Sequence, residues 1–239
     1  MILFHTGHAV ITDFSGIQIA AVAFPATDTN PVIEDAGTLN THETPLPLLI
    51  IRFSGKDGQA CMDTVILRTF TEEEYHLFFR GYEADPLVNP APYQYNKEQV
   101  SRSYHYNHDG FQQGYVHFGI IFNNQPVGSF QLKRMNPKTK TGEFGIILQH
   151  DRWKDRGIGT AAILAGLQIA KDQFGLEKIM GDTMSCNGRM RHIFEKLGFQ
   201  LIETVPDAFQ LSNGKREDRL IYQKNISERE IESCQQVSF

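Results

Sequence analysis

A short glycine-containing turn carries the clearest chemistry in the chain. The segment Lys154–Thr160 reads K-D-R-G-I-G-T, follows a predicted strand and opens a long predicted helix. Glycines allow a tight turn in which successive N–H groups point at one anion, and a helix N-terminus adds unpaired donors and partial positive charge. Two cations, Lys154 and Arg156, flank the turn. The segment is a candidate phosphate-binding turn, although two glycines at a helix start also occur without any ligand.

A second motif follows with one predicted strand between. Asn187 precedes Phe194–Phe199, so that the stretch reads N-x6-F-E-K-L-G-F. Together the two motifs resemble the GNAT superfamily of N-acetyltransferases, in which Q/R-x-x-G-x-G/A begins the long helix and an Asn precedes a helix ending Y/F-E-K-x-G-F. The resemblance covers about residues 62–224. The E-F-G-I strand resembles most the ribosomal-protein and small-amine acetyltransferase branch.

The resemblance implies a binding site for acetyl-CoA as co-substrate and no metal. It implies that the backbone of Ile147 and Gln149 pairs with the pantetheine arm like an added strand. It gives Asn187 a contact with the cofactor or with an ordered water, beside its ordinary role as a helix cap. Lys154 stands where the family has Gln or Arg. The family pattern assigns the pyrophosphate to Asp155, Arg156, Gly157, Ile158, Gly159 and Thr160, and Lys154 joins the expected cofactor-binding residues as a point-charge partner for phosphate.

Glu143 is the candidate general base. It lies 14 residues before Gly157 on the predicted strand 142–149, and histone-class members of the family carry a catalytic Glu at a similar distance. Period two places Glu143, Gly145 and Ile147 on one face of that strand. A solvent-facing or structurally paired Glu is the other interpretation. The resemblance assigns polarisation of the reacting carbonyl to the N–H of Ile147, in the manner of an oxyanion hole.

The proton donor for the departing thiolate is missing from its usual place. Family members often carry a Tyr before E-K-x-G-F, and this chain has Phe194 there. Ser185, Cys186 or a water are possible substitutes, and a thiolate is also able to leave unaided. Phe in place of Tyr is also consistent with a protein whose catalytic activity is weakened.

Three histidines and an aspartate cluster in the sequence: His105, His108, Asp109 and His117. The H-x-x-H formed by His105 and His108 falls in a predicted loop beside Tyr104, Tyr106 and Phe111, with no fixed ligand geometry. We therefore expect no metal site there, and either a wall of the acceptor site or an ordinary surface loop.

The elements that position these residues follow from periodicity and turn signals. Thr71 with Glu74 three residues later predicts a capping box that opens a helix. Asn123-Asn124 predicts a hairpin turn. Apolar residues at helical spacing predict a long helix over 157–174. The further predicted helices are 96–107 and 188–197, and the predicted strands are 46–53, 64–68, 115–122, 127–132, 142–149, 177–182, 199–204 and 219–223.

This order predicts an α/β fold with a mixed, mostly antiparallel sheet that has a central splay and is flanked by helices. We expect an N-acetyltransferase domain over residues 62–226, an N-terminal extension over 1–61 and a C-terminal tail over 227–239. The extension is either packed on the domain or the product of an upstream start codon and poorly ordered.

Composition narrows the class of protein. The chain has 239 residues, of which 41% are hydrophobic and 21% charged, as in an ordinary globular protein. Its net charge of −5 argues against a broad basic face for nucleic acid. Three scattered cysteines without C-x-x-C argue against a disulfide framework and for the cytoplasm. No apolar run is long enough to cross a membrane.

The expected reaction is direct transfer of an acetyl group to a primary amine, without a covalent enzyme intermediate. The amine is open among a protein N-terminus, a polyamine, an antibiotic and an amino acid, and the oligomeric state is open between monomer and homodimer. One alternative is a CoA-binding protein without turnover, acting as a sensor or subunit. Another is a protein-binding module built around residues 1–61.

Overall fold

The computed structural model describes residues 10–12, 17–20, 49–54, 62–88, 91–108 and 114–226. The first strands are β1 (Val10–Thr12), β2 (Ile17–Ala20), β3 (Leu49–Ser54) and β4 (Met62–Arg68). Two helices and a run of three strands follow: α1 (Glu72–Arg80), α2 (Lys97–His108), β5 (Val116–Phe122), β6 (Gln125–Asn136) and β7 (Thr141–Leu148). The remaining elements are α3 (Ile158–Asp172), β8 (Lys178–Met184), α4 (Gly188–Lys196), β9 (Gln200–Gln210) and β10 (Arg216–Asn225).

The described strands form one sheet in the order β1-β2-β3-β4-β5-β6-β7-β8-β10-β9. Neighbouring strands are antiparallel except β7 and β8, which run parallel. The parallel pairing covers only Thr141–Glu143 against Lys178–Met180, after which the two strands diverge. The predicted α/β fold, with its mixed sheet and central splay, is confirmed.

Side-chain alternation gives the sheet two differently covered faces. Phe144 of β7 lies in the larger core with residues of α3 and α4, and we call this side the α3 face. Ile147 packs against the smaller core formed with α1 and α2, and we call that side the α1 face. Odd-numbered residues of β7 therefore lie on the α1 face, as the period of two in a strand requires.

Two local predictions are confirmed in atomic detail. The Glu74 N–H donates to Thr71 Oγ1 (3.2 Å) and the Thr71 N–H donates to Glu74 Oε2 (3.0 Å), which completes the capping box of α1. Asn123 and Asn124 have φ of 47° and 65° in the turn between β5 and β6. Both values lie in the left-handed region that Asn tolerates, as hairpin turns require.

The long helix approaches the sheet most closely at Gly166. A Cβ at this position would lie less than 3.0 Å from the ring of Phe130, which is fully buried on β6. The absence of a side chain at Gly166 thus sets how closely α3 packs on the centre of the sheet. This packing fixes the helix whose N-terminus forms the candidate phosphate-binding turn.

We expect Gly166→Ala to destabilise the protein by about 1–3 kcal/mol, because the methyl group overlaps a buried ring that has little room to move. Gly159→Ala is the control on the same helix, since its Cβ would meet nothing within 4 Å. That variant should be as stable as the wild type or slightly more stable. Urea unfolding of both variants checks this, and a Gly166→Ala protein of wild-type stability would contradict the account of the packing.

The predicted domain boundary falls at the first residue of β4. Strand β3, which belongs to the predicted extension, pairs with β4 and places Ile50 opposite Ile66. Most of segment 1–61 and the predicted tail 227–239 lie outside the described residues, so the boundaries stay predictions. Within the described residues, every helix is too short or too polar to span a membrane.

Candidate active site

The divergence of β7 and β8 opens a cleft of about 140 Å³. Its walls come from the two splayed strands, namely Phe144, Gly145, Ile146, Asp182, Thr183 and Met184. Leu87 and Val88, which follow α1, close one side, and Asn187 and Met190 of the α4 start close another. The cleft therefore lies between the end of the parallel pairing and the N-terminus of α4.

The direction of the backbone along β7 decides which residues face the cleft. The C=O of Lys140 accepts from the N–H of Lys178 of β8 (3.1 Å), whereas the N–H of Gln149 donates to the C=O of Val127 on the β6 side (2.8 Å). Backbone groups point alternately to the two sides of a strand. The even-numbered residues of β7 consequently direct their N–H and C=O groups toward β8 and the cleft.

This alternation corrects the assignment for the pantetheine arm. Ile147 directs its backbone groups toward β6, and Gln149 uses its N–H on Val127 and its C=O on Glu83, so neither residue offers a free backbone group to a ligand in the cleft. The groups that line the open edge belong to their neighbours Ile146 and Leu148. The N–H of Ile147, to which the resemblance assigns polarisation of the carbonyl, faces β6 for the same reason, because backbone groups point alternately to the two sides of a strand.

Gln149 has a structural role instead. It is buried, and its side-chain Nε2 donates to the carbonyl of Phe78 (2.8 Å) and to that of Leu77 (3.3 Å). Its own C=O accepts from the N–H of Glu83 (2.9 Å). Gln149 thus satisfies carbonyls at the C-terminus of α1 and fixes the segment that leads to Leu87 at the cleft.

The predicted phosphate-binding turn has the backbone geometry of an anion site. Asp155 and Gly157 have φ of 56° and 82°, and Gly157 is the N-cap of α3. Within the described part of the chain, no acceptor contacts the backbone N–H groups of residues 155–160. The position of a Cβ on Gly159 faces open space. Unpaired donors at a helix N-terminus, with room before them, fit a pyrophosphate.

The two cations of the turn have different surroundings. Lys154 Nζ forms ion pairs with Asp85 and Asp151, and its side chain is only 13% exposed. The Lys154 ammonium lowers the pKa of Asp151 through this hydrogen bond. Arg156 is exposed, and its guanidinium lies 4.9 Å from the ring centre of Phe122. Lys154 thus ties the turn to the segment after α1, and Arg156 is the accessible cation.

Asn187 joins the two sides of the cleft. Its Oδ1 accepts from the N–H of Met190 (3.1 Å), which caps α4, and its Nδ2 donates to the carbonyl of Leu87 (3.1 Å). The capping role suggested by the sequence is present. Because the residue is buried and lines the cleft, it also lies where a ligand contact is possible.

Glu143 lies at the closed end of the cleft, on the α1 face. It is the last residue of β7 paired with β8, and its carboxylate accepts a hydrogen bond from Arg134. Its side chain is 18% exposed. The Glu143 carboxylate raises the pKa of Arg134. Glu143 is therefore a paired carboxylate next to the cleft rather than a residue of its wall.

A second carboxylate, Asp182, does line the cleft and was missed by the sequence reasoning. It lies on β8 two residues beyond Met180, the partner of Glu143, and it accepts from Arg219 Nε (2.9 Å). The signal was present in the sequence as a carboxylate inside a mostly apolar strand. Two carboxylates, each held by an arginine, thus flank the point at which the strands separate.

The position of the usual proton donor holds no polar group. Phe194 is 1% exposed, and its ring stacks on Tyr222 with centroids 4.4 Å apart. Ser185 Oγ donates to Glu217 Oε2 (2.6 Å) and accepts from the N–H of Asp218 (3.2 Å). Ser185 therefore already has partners for its hydroxyl.

Cys186 is the other predicted substitute for the missing proton donor. It is exposed, and burial of its thiol together with the charge of Glu217 raises its pKa. A raised pKa makes this thiol a weaker proton donor, and Cys186 is not among the residues that line the cleft.

The predicted histidine cluster is dispersed in the structure. His117 is buried and hydrogen-bonded to Ser129, whereas His105 Nε2 lies 3.8 Å from Glu72 at the surface. Asp109 and the side chain of His108 lie outside the described residues. Among the residues that the structure describes, no group of three or more His, Cys, Asp or Glu side chains is arranged to hold a metal.

Comparison with known proteins identifies the domain. The family model of the acetyltransferase (GNAT) domain matches residues 64–200. A chimera of the spermidine N-acetyltransferase SpeG from Vibrio cholerae and hSSAT has 18% identity and a TM-score of 0.61 over 69% of this chain and 96% of its own. RimJ from Mycobacterium smegmatis, solved with CoA-disulfide, has 16% identity and a TM-score of 0.60 over 72% and 90%.

A third solved structure contains the expected co-substrate. The microcin C7 self-immunity acetyltransferase MccE, in complex with acetyl-CoA and AMP, has 19% identity and a TM-score of 0.55 over 67% of this chain and 92% of its own. At these identities the likeness shows a shared fold. Because the family model matches more than half of the 239 residues, the chain belongs to the GNAT acetyltransferase family.

Proposed function

We propose that this protein transfers the acetyl group of acetyl-CoA directly to the primary amine of a small molecule or protein. The observation that carries the proposal is the turn before α3, where the N–H groups of residues 155–160 have no acceptor among the described residues. A pyrophosphate is the ligand that such a row of donors suits. Asp155 of this turn lies 3.7 Å from Arg189 of α4, the helix whose first turn lines the cleft between β7 and β8. That cleft leads to the two paired carboxylates.

Different residues around the cleft bind different parts of acetyl-CoA. The backbone of Asp155–Thr160 holds the pyrophosphate, with Arg156 adding an accessible positive charge. Ile146 and Leu148 present free backbone groups to the amides of the pantetheine arm, as an edge strand does to an added strand. Acetyl-CoA supplies an acetyl group activated as a thioester. Phe144 and Met184 contribute apolar surface to this part of the cleft.

The acceptor amine has to lose a proton before it attacks. An amine with a pKa of about 10.4 is neutral in roughly one molecule in 2,500 at pH 7, a deficit of about 4.6 kcal/mol. Glu143 is the proposed base, acting directly or through water, because it lies beside the cleft on the face that Gly145 leaves open. Asp182 is the competing candidate, because it lines the cleft itself.

The test is a thiol-release assay with acetyl-CoA and a panel of primary amines, with mass spectrometry of the products. Amine-dependent thiol release together with an N-acetylated product would support the proposal. Binding of acetyl-CoA without release against any amine would favour a CoA-binding sensor or subunit. Phe194 is the observation that favours this second function, since the usual proton donor is absent there.

A further inference from the structure

The α1 face of the cleft has no side chain at Gly145, which leaves a gap about the size of a methyl group. A Cβ at Gly145 would lie 3.8 Å from Gln131 Oε1 and 3.9 Å from Lys133 Nζ, both reaching over from β6. Gly145 itself lines the cleft. An ammonium group and a carboxamide therefore reach the wall of the cleft, over the one residue of the β7 wall that has no side chain.

Lys133 does not form the ion pair that its place in the sheet favours. Lys133 is directly opposite Glu143 across β6 and β7, where opposite charges commonly pair. Glu143 binds Arg134 instead, and Asp182 binds Arg219. Among the described residues, Lys133 has no carboxylate within 4.0 Å. The two acids near the cleft are thus each neutralised by an arginine, and Lys133 adds an unmatched positive charge.

We infer that Lys133 binds a carboxylate on the acceptor, so that the substrate is a compound bearing both a primary amine and a carboxylate. This inference rests on the proposed function and names its substrate class. The ammonium of Lys133 supplies charge-assisted donors for the carboxylate, whereas Gln131 turns its Oε1, an acceptor, toward Gly145. The amine then lies toward Glu143, the proposed base.

The position of the gap separates this anion from the phosphates of the co-substrate. Gly145 lies near the closed end of the cleft, beside the Glu143–Met180 pair, whereas the phosphate-binding turn follows the far end of β7. Lys133 also lies on the α1 face, and the turn leads into α3 on the opposite face. An anion beside Lys133 therefore belongs to the acceptor.

The experiment compares glycine, β-alanine, γ-aminobutyrate and δ-aminovalerate with their primary amides as acceptors. For the wild type, we expect kcat/KM for at least one acid to exceed that for its amide by about 10-fold or more, as a charge-assisted hydrogen bond supplies. In Lys133→Met, this acid-to-amide ratio should fall close to the ratio of the intrinsic reactivities of the two amines. Lys133→Arg should restore most of the wild-type preference for the acid. Lys138→Met, in the exposed turn between β6 and β7, is the control and should keep the wild-type ratio.

A binding measurement separates this inference from the proposed function. Calorimetry with the CoA-saturated protein should show the preferred acid binding to wild type and binding at least about 10-fold more weakly to Lys133→Met. Equal rates for acids and amides, or an unchanged ratio in Lys133→Met, would overturn the inference and leave the acetyltransferase proposal standing. Acid binding that depends on Lys133, with no thiol release against any amine, would support the inference and count against the proposed reaction.

Discussion

Glu143→Gln is expected to lower kcat by about 10²- to 10⁴-fold, the range that a positioned general base contributes. The amide keeps the shape and hydrogen-bonding length of the side chain but accepts no proton at neutral pH. Affinity for acetyl-CoA should stay within about twofold of the wild type, because the phosphate-binding turn lies at the other end of β7. Rapid-quench kinetics and calorimetry with CoA measure the two quantities separately.

Asp182→Asn is the matched comparison, since it removes the charge of the other carboxylate next to the cleft. Both variants lose one partly exposed ion pair, which costs about 0–1 kcal/mol of folding stability, so both should remain folded. A large loss of kcat in Asp182→Asn with normal turnover in Glu143→Gln would transfer the role of the base to Asp182. Normal turnover in both variants would contradict carboxylate catalysis at this cleft.

Gly159→Asp is expected to weaken CoA binding by at least about 100-fold. A carboxylate at this position would project into the open space before the turn, beside the proposed pyrophosphate. Two unit charges 4 Å apart interact by about 4 kcal/mol near a protein surface, more than the roughly 2.7 kcal/mol that a 100-fold change requires. Isothermal titration with CoA measures the effect.

The fold should tolerate this charge. Asp in the first turn of a helix is stabilising, and the Cβ of residue 159 meets no atom within 4 Å. The melting temperature without ligand should therefore equal or exceed that of the wild type. Gly159→Ala adds the Cβ without the charge and should bind CoA much better than Gly159→Asp. Equal weakening in both variants would show that space, and not charge, is what the turn requires.

The fold was predictable where local chemistry determines it. The capping box was predictable from Thr71 and Glu74, and the hairpin turn was predictable from Asn123-Asn124. Both motifs depend only on residues a few positions apart. The Lys154–Thr160 turn was predictable for the same reason. The pairing of β7 with β8, which makes the cleft, joins segments far apart in sequence and followed from the family resemblance.

The site was less predictable where strand register, or contacts between residues far apart in sequence, determine which groups face the cleft. In β7, alternate residues direct their backbone groups to opposite sides, so Ile146 and Leu148 face the cleft and Ile147 and Gln149 do not. The sequence alone does not show which of the two sets faces the cleft. Lys154 meets Asp85, a residue 69 positions earlier, through packing of the segment after α1. Asp182 was missed because its importance depends on the strand beside it.

The most direct test of the account is the melting temperature of the full chain with and without acetyl-CoA, measured beside Gly159→Asp. Ligand at about 100 times Kd adds about 2.7 kcal/mol, or roughly 5–11 °C for a protein of this size. We expect that shift for the wild type and little or none for Gly159→Asp. A wild-type protein that shows no shift at saturating acetyl-CoA would contradict a phosphate-binding role for the turn before α3.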